Sequence, residues 1–335
     1  MNNRLPTCFC TEQVKQIGCG AYAKVFHPPP PLETSTLCDS EKKGKQQQYA
    51  LDRDHVLKYG QSAHLSNEFL LSGILKEIDP NQEYFIHCKC LYTPDAEIVG
   101  TNNHPSNIGL IYTYGGLPWT TVPKTYQVLW NIYSHLVKAL KLLQDARILH
   151  LDISYKNIML DLQTMPKIRL IDFGLAIAGD NLLDKLLAFL SSHNPLDLLD
   201  DNPLFLTIWL KGELMHRLQI TEEECKVQYV KEYDYLWKHY TPARDWITEW
   251  FSYSKEKIAK ELITPNLHKI DLFRLSSLVN VYFLQLNTLD VEQDSQSKQS
   301  LSKLICHCLH PDPTKSYSVD QALQFIIEAE QGCKT

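Results

Sequence analysis

Ile148–Gly174, reading ILHLDISYKNIMLDLQTMPKIRLIDFG, is the stretch around which this 335-residue chain is organised. Two apolar runs, Ile158-Met159-Leu160 and Ile168-Arg169-Leu170-Ile171, predict short strands joined by a polar turn from Asp161 to Pro166. A hairpin of this kind sets the loop before its first strand beside the loop after its second. Asp152 and Asn157 stand just before the hairpin and Asp172 just after it. Two carboxylates and an amide gathered this way offer hard oxygen donors to one metal-bound phosphate.

HLDISYKN, a hairpin and then DFG together resemble the catalytic core of the protein-kinase superfamily, which writes H-R-D-L-x-x-x-N and D-F-G. The resemblance implies that Asp152 is the base accepting the substrate hydroxyl's proton. It implies that Asn157 is a magnesium ligand and that Asp172 holds magnesium against the phosphates. Two positions depart from the pattern. Leu151 replaces the arginine that pairs with a phosphorylated activation segment, so control by that route is not expected. Ser154 stands where serine/threonine kinases carry a lysine, and Lys156 is the cation that would replace it.

Outward from this core, Tyr126–Gln144 places apolar residues at helical spacing and predicts a long buried helix leading into Ile148. Tyr84–Cys90 and Ile108–Tyr114 read as strands, the second running into Gly115-Gly116, where the resemblance implies a hinge. Backbone at Tyr112 to Tyr114 would there hold the adenine edge. His55–Tyr59 reads as a strand carrying Lys58, and Glu68 follows ten residues later on a helix predicted over Ser62–Ile78. This pair resembles the strand lysine of kinases, which touches the α- and β-phosphates, and the helix glutamate that accompanies it. Val14–Ile17 and Lys24–Phe26 read as strands around a turn containing Gly18 and Gly20. The turn is similar to a glycine-rich phosphate loop, with Val25 in register and Ala23 in place of the third glycine. Between them and Lys58, residues 27–48 form a proline-rich and then polar insertion, expected on the surface.

Beyond Gly174 the family pattern lapses. Residues 175–262 are rich in Leu, Trp, Tyr and acidic side chains, with helical periodicity over Leu182–Leu190 and Glu223–Tyr240, and no A-P-E is found. The pattern returns at Lys269–Ser276, where Asp271 resembles the aspartate that hydrogen-bonds the catalytic-loop backbone. It closes at Cys306–Leu323, where Lys315 replaces an arginine. Three C-x-C pairs, Cys8/Cys10, Cys88/Cys90 and Cys306/Cys308, read as small buried hydrophobes rather than zinc ligands, since alternate strand residues face opposite ways.

A net charge of −6 argues against a general nucleic-acid binder, which would show a basic face, and no apolar run is long enough to span a membrane. The first residues lack the build of a signal peptide, so an intracellular location, cytoplasmic or nuclear, is expected. The expected fold is α+β and two-lobed: a β-rich lobe over 11–114 and a larger helical lobe over 115–335. The expected activity is transfer of the γ-phosphate of ATP, with Mg2+ or Mn2+, to Ser/Thr hydroxyls of proteins, with partners engaged through 28–31 or 175–262. A pseudokinase scaffold and an aminoglycoside- or choline-type phosphotransferase stand as alternatives. In style the clipped motifs are similar to kinases of large DNA viruses or bacterial effectors, which would place the protein in a host cell.

Overall fold

β-Branched and aromatic residues recur through the first third of the chain, and they pair there into one antiparallel sheet. Along the chain its strands are β1 (Lys15–Cys19), β2 (Ala23–His27), β3 (Thr36–Leu37), β4 (His55–Gln61), β5 (Cys88–Tyr92) and β6 (Asn107–Thr113). Their order across the sheet is β1-β2-β4-β6-β5-β3. This computed structural model describes residues 15–19, 23–27, 36–37, 55–92, 107–120, 123, 125–161, 167–193, 202–227, 249–289, 295–310 and 312–332. Gly20, Cys8, Cys10, most of the 27–48 insertion with its prolines at 28–31, and residues 194–201 and 228–248 lie outside them.

Three boundaries differ from expectation. β1 and β2 run further toward each other, pairing Gly18 with Val25 and Cys19 with Lys24 after an irregularity between Gln16 and Gly18. Gly18 is therefore a ladder residue. Within the expected insertion, β3 pairs with β5, Thr36 opposite Tyr92 and Leu37 opposite Leu91. The strand expected from Tyr84 begins only at Cys88. The cause is Asp79, whose carboxylate accepts the amides of Glu83 (2.9 Å), Tyr84 (2.8 Å) and Phe85 (2.9 Å) and winds them into a turn.

Helix α1 spans Ser62–Ile78, as its periodicity predicts. Its buried side carries Leu65, Leu71 and Leu75. Leu65 packs against Ile108 and Leu110 of β6. A second, three-stranded sheet orders β10 (Lys167–Leu170), β9 (Ile158–Asp161) and β7 (Leu117–Pro118). Here the expected hairpin is formed, registered from Lys167↔Asp161 to Leu170↔Ile158. Gly116 leads into β7 with φ +100°, and a Cβ there would stand 2.2 Å from the Leu160 carbonyl oxygen, so only glycine fits.

By internal contacts the chain divides into two compact units, Met1–Trp119 with Lys156–Ala176, and Thr120–Tyr155 with Ile177–Thr335. The elements above make up the first. The second is mainly helical, so the class is α+β. Its long helices are α2 (Tyr126–Asp145), α3 (Leu182–Ser192), α6 (Lys269–Thr288), α7 (Ser295–Cys308) and α8 (Val319–Gly332), with the short α4 (Leu204–Trp209) and α5 (Lys211–Leu218) between α3 and α6, and the short strand β8 (Ile148–Leu149) pairs antiparallel with β11 (Ile177–Ala178). Thr125 caps α2 by accepting the Val128 amide at 3.2 Å. The predicted apolar face of α2 is buried, with Leu129, Tyr133, Leu136, Val137 and Leu140 among its inward residues. A separate core gathers Leu151, Leu186, Leu190, Phe205, Trp209 and Ile263 with their neighbours, so the divergent 175–262 stretch has its own apolar interior. Cys308, at the end of α7, is buried beside Tyr133 and Ser276, and burial pushes its thiol up to about 11. No described helix is long and apolar enough to cross a membrane.

Candidate active site

Lys58, Glu68 and Asp172 reach one point in the first unit from three elements. Lys58 stands in mid-β4, Glu68 on the sheet-facing side of α1, and Asp172 two residues beyond the end of β10. The Lys58 Nζ donates to Glu68 Oε2 at 2.6 Å and to Asp172 Oδ1 at 2.8 Å. Glu68 is only 4% exposed, so its charge needs partners on both oxygens. The second oxygen, Oε1, accepts the hydroxyl of Tyr112 at 2.7 Å.

Electrostatics follow from this burial. Burial opposes the Lys58 ammonium, but the Glu68 and Asp172 carboxylates outweigh it and hold the group above its ordinary value. It is a cation throughout the neutral range. Burial pushes the Tyr112 phenol well above its ordinary value, reinforced by the Glu68 charge, so Tyr112 is a fixed neutral donor.

Asp172 has left-handed backbone, φ 65° and ψ 70°, an unusual conformation for a residue with a side chain. Two contacts hold it there besides Lys58. Its Oδ1 accepts the Gly174 amide at 3.4 Å, and the next residue, Phe173, is buried edge-on against Phe85 with ring centroids 5.8 Å apart. Asn157 lies at the same end of the hairpin, its backbone carbonyl accepting the Ile171 amide at 3.0 Å. Asn157 is buried and Lys156 exposed.

Over this cluster opens a cleft of about 710 Å3, counting its mouth. Its walls are apolar, with Ile17, Val25, Val56, Ile86, Met159 and Ile171 among them, while Lys58, Glu68 and Asp172 mark its polar end. Such a site suits a flat apolar ring with a charged tail. Tyr114 and Gly115 also line it, just beyond Thr113, the last paired residue of β6. Tyr112 itself lies inside the ladder, opposite Val56 and Cys88. The donor set fits magnesium: a carboxylate at Asp172, 40% exposed, with an amide side chain at the same hairpin end.

Residues 107–185 match the family model for fungal protein kinase. The match supports a kinase-like relationship and lends nothing to the viral or effector analogy. It contains Asp152, Asn157 and Asp172 but not Lys58 or Glu68. No curated protein matches the chain.

In the second unit, the kinase-like loop bearing Asp152 is tied from behind. Asp271, in the first turn of α6, accepts the His150 amide at 2.6 Å and the Leu151 amide at 2.9 Å. His150 Nδ1 in turn accepts the Asp152 amide at 3.2 Å. Lys315, standing where an arginine was expected, is exposed and pairs with Asp312 at 3.5 Å. Arg274 of α6 is buried and donates to Asn202, just before α4, at 3.0 Å. Sequence reading passed over three features: the Tyr112 side chain, Asn202 with Arg274, and the burial of Leu151. Of these, Tyr112 alone had a signal, because Ile108, Leu110 and Tyr112 alternate onto the face of β6 that meets α1.

Proposed function

We propose that the chain is an intracellular protein kinase that moves the γ-phosphate of Mg-ATP onto serine or threonine hydroxyls of proteins. One observation carries the reading: Lys58 is held by Glu68 and Asp172 at the polar end of an apolar cleft. A lysine so tethered orients phosphates, and its two carboxylate partners keep it charged. Asp172 and Asn157 would hold the metal, which when bound neutralises charge on the transferring phosphoryl group. Asp152 accepts the proton as the substrate oxygen bonds to the γ-phosphorus and the bond to the leaving ADP oxygen breaks. Lys156 offers a further cation to the same phosphoryl group. The apolar-cored stretch 175–262 is the part available to shape protein docking.

The test is γ-phosphate transfer to casein and to the protein itself, with Mg2+ or Mn2+, for the wild type beside Asp152→Asn and Lys58→Met. Expected is transfer by the wild type and a loss of about 10²- to 10³-fold in each variant, the scale of removing one preorganised charge-stabilising group. Transfer to small alcohols in preference to casein would instead support a small-molecule phosphotransferase. Absence of transfer with ATP still raising Tm would identify a nucleotide-binding pseudokinase.

A further inference from the structure

We propose that Tyr112 is a positioning residue for phosphoryl transfer: its hydroxyl fixes Glu68, and Glu68 so fixed keeps Lys58 aimed at the nucleotide phosphates. The proposal rests on the kinase reading above and adds to it a residue whose side chain touches neither phosphate nor metal. Lys58 has one ammonium and two carboxylates claiming it, Glu68 at 2.6 Å and Asp172 at 2.8 Å. Lysine is a flexible point charge on a four-carbon stem and takes no preferred orientation from its own chemistry. What directs it must be the more rigid of its partners.

Asp172 is 40% exposed, whereas the Glu68 side chain is 5% exposed. Glu68 is therefore the partner able to set direction, provided that its own rotamer is fixed. A carboxylate with one oxygen on a mobile lysine can swing. With its other oxygen on Tyr112 at 2.7 Å it is held at both ends.

Tyr112 is well placed to do this. β6 lies between β4 and β5, and Tyr112 is registered to Val56 on one side and Cys88 on the other, so its backbone is among the best-fixed in the unit. Its ring packs against the small core of Leu65, Ile108 and Leu110. A tyrosine has only two side-chain torsions before its ring is set, which makes the hydroxyl a rigid post. One turn further along α1, Ser72 Oγ accepts the Cys88 amide at 2.6 Å. The helix is thus pinned to the sheet at Glu68 and at Ser72, and its glutamate is presented by two adjacent strands.

The experiment measures kcat for phosphoryl transfer, Kd for ATP and Kd for adenosine in the wild type, Tyr112→Phe, Glu68→Gln and the double variant. Phenylalanine keeps the ring and its packing and removes only the hydroxyl. Expected for Tyr112→Phe is a fall in kcat of about tenfold, the scale of one hydrogen bond to a charged group. The adenosine Kd should stay within about twofold, because a lost hydroxyl does not change the packing of the walls. In the Glu68→Gln background, removing the hydroxyl should change kcat little further, since both act through one path. If Tyr112 only fills the wall, the single variant leaves kcat unchanged; additive losses in the double variant would likewise overturn the proposal. Either result leaves the kinase reading standing. A wild type without transfer sinks the kinase reading itself, and this proposal falls with it.

Discussion

Leu151 departs from the kinase pattern and is a core residue. It stands where the kinase pattern has an arginine, and it is 2% exposed within the apolar cluster that includes Leu182, Leu186, Leu190 and Ile270. Its backbone is left-handed, φ 61°, which costs a residue with a Cβ about 1 kcal/mol or more. Burying the side chain recovers roughly 1.5–3 kcal/mol, enough to offset that strain. The segment after Asp172-Phe173-Gly174 is therefore packed against an apolar side chain at the position where the kinase pattern would put an arginine. We expect Leu151→Arg to place an unpaired charge in this cluster and to lower stability by about 3–5 kcal/mol. Thermal unfolding of the variant checks this, and an unchanged Tm would show that the arginine finds water or a partner. The residue type at 151 was plain in the sequence. Its burial was not, because the leucines that surround it come from a stretch with no recognisable motif.

At the scale of elements, the clamp between α6 and the loop at Ile148–Leu151 is the clearest case of long-range positioning. One carboxylate, Asp271, satisfies two buried amides from a segment about 120 residues away in sequence, an order of separation set by chain topology. A backbone amide left without a partner in such a place costs roughly 1–3 kcal/mol. Asp271→Ala should therefore lose roughly 2–5 kcal/mol of stability, with Asp271→Asn, which keeps one acceptor, losing less. Denaturant unfolding of the two variants tests the order, and equal small losses would mean that water replaces the carboxylate. The motif at Lys269–Ser276 announced this contact from sequence. The hairpin and helices α1 and α2 were equally legible, because their periodicities of two and 3.6 residues are local properties. The start of β5 was misread, because Asp79 draws residues 83–85 into a turn that their strand-forming side chains do not suggest.

For the molecule as a whole, acid should be destabilising, and His87 provides a specific reason. It is 4% exposed, and among the described residues its Nε2 finds no hydrogen-bond partner. Burial holds its imidazole below the ordinary value, against the pull of Asp79. The unfolded chain then binds a proton more readily than the folded one, so this contribution is fully present above about pH 6.5 and is lost as pH falls below it. His268 and His310 are lowered in the same direction, again by burial first. Tm should therefore fall between pH 7 and pH 5.5, and His87→Gln should shallow that slope. A slope identical in the variant would assign the effect to the other histidines.

The candidate residues Asp152, Asn157, Asp172, Lys58 and Glu68 could be picked out from the sequence alone, since their types and their order along the chain are local properties. So could the hairpin and the principal helices, whose patterns repeat within a few residues. Only the tertiary structure decided that Glu68 has a second anchor in Tyr112, that Leu151 is a core residue, and that Arg274 turns to Asn202. Each of these depends on which distant side chain meets a buried group once the elements pack. A sequence spells out the groups that need partners, but the partner is chosen by the geometry of the packed elements.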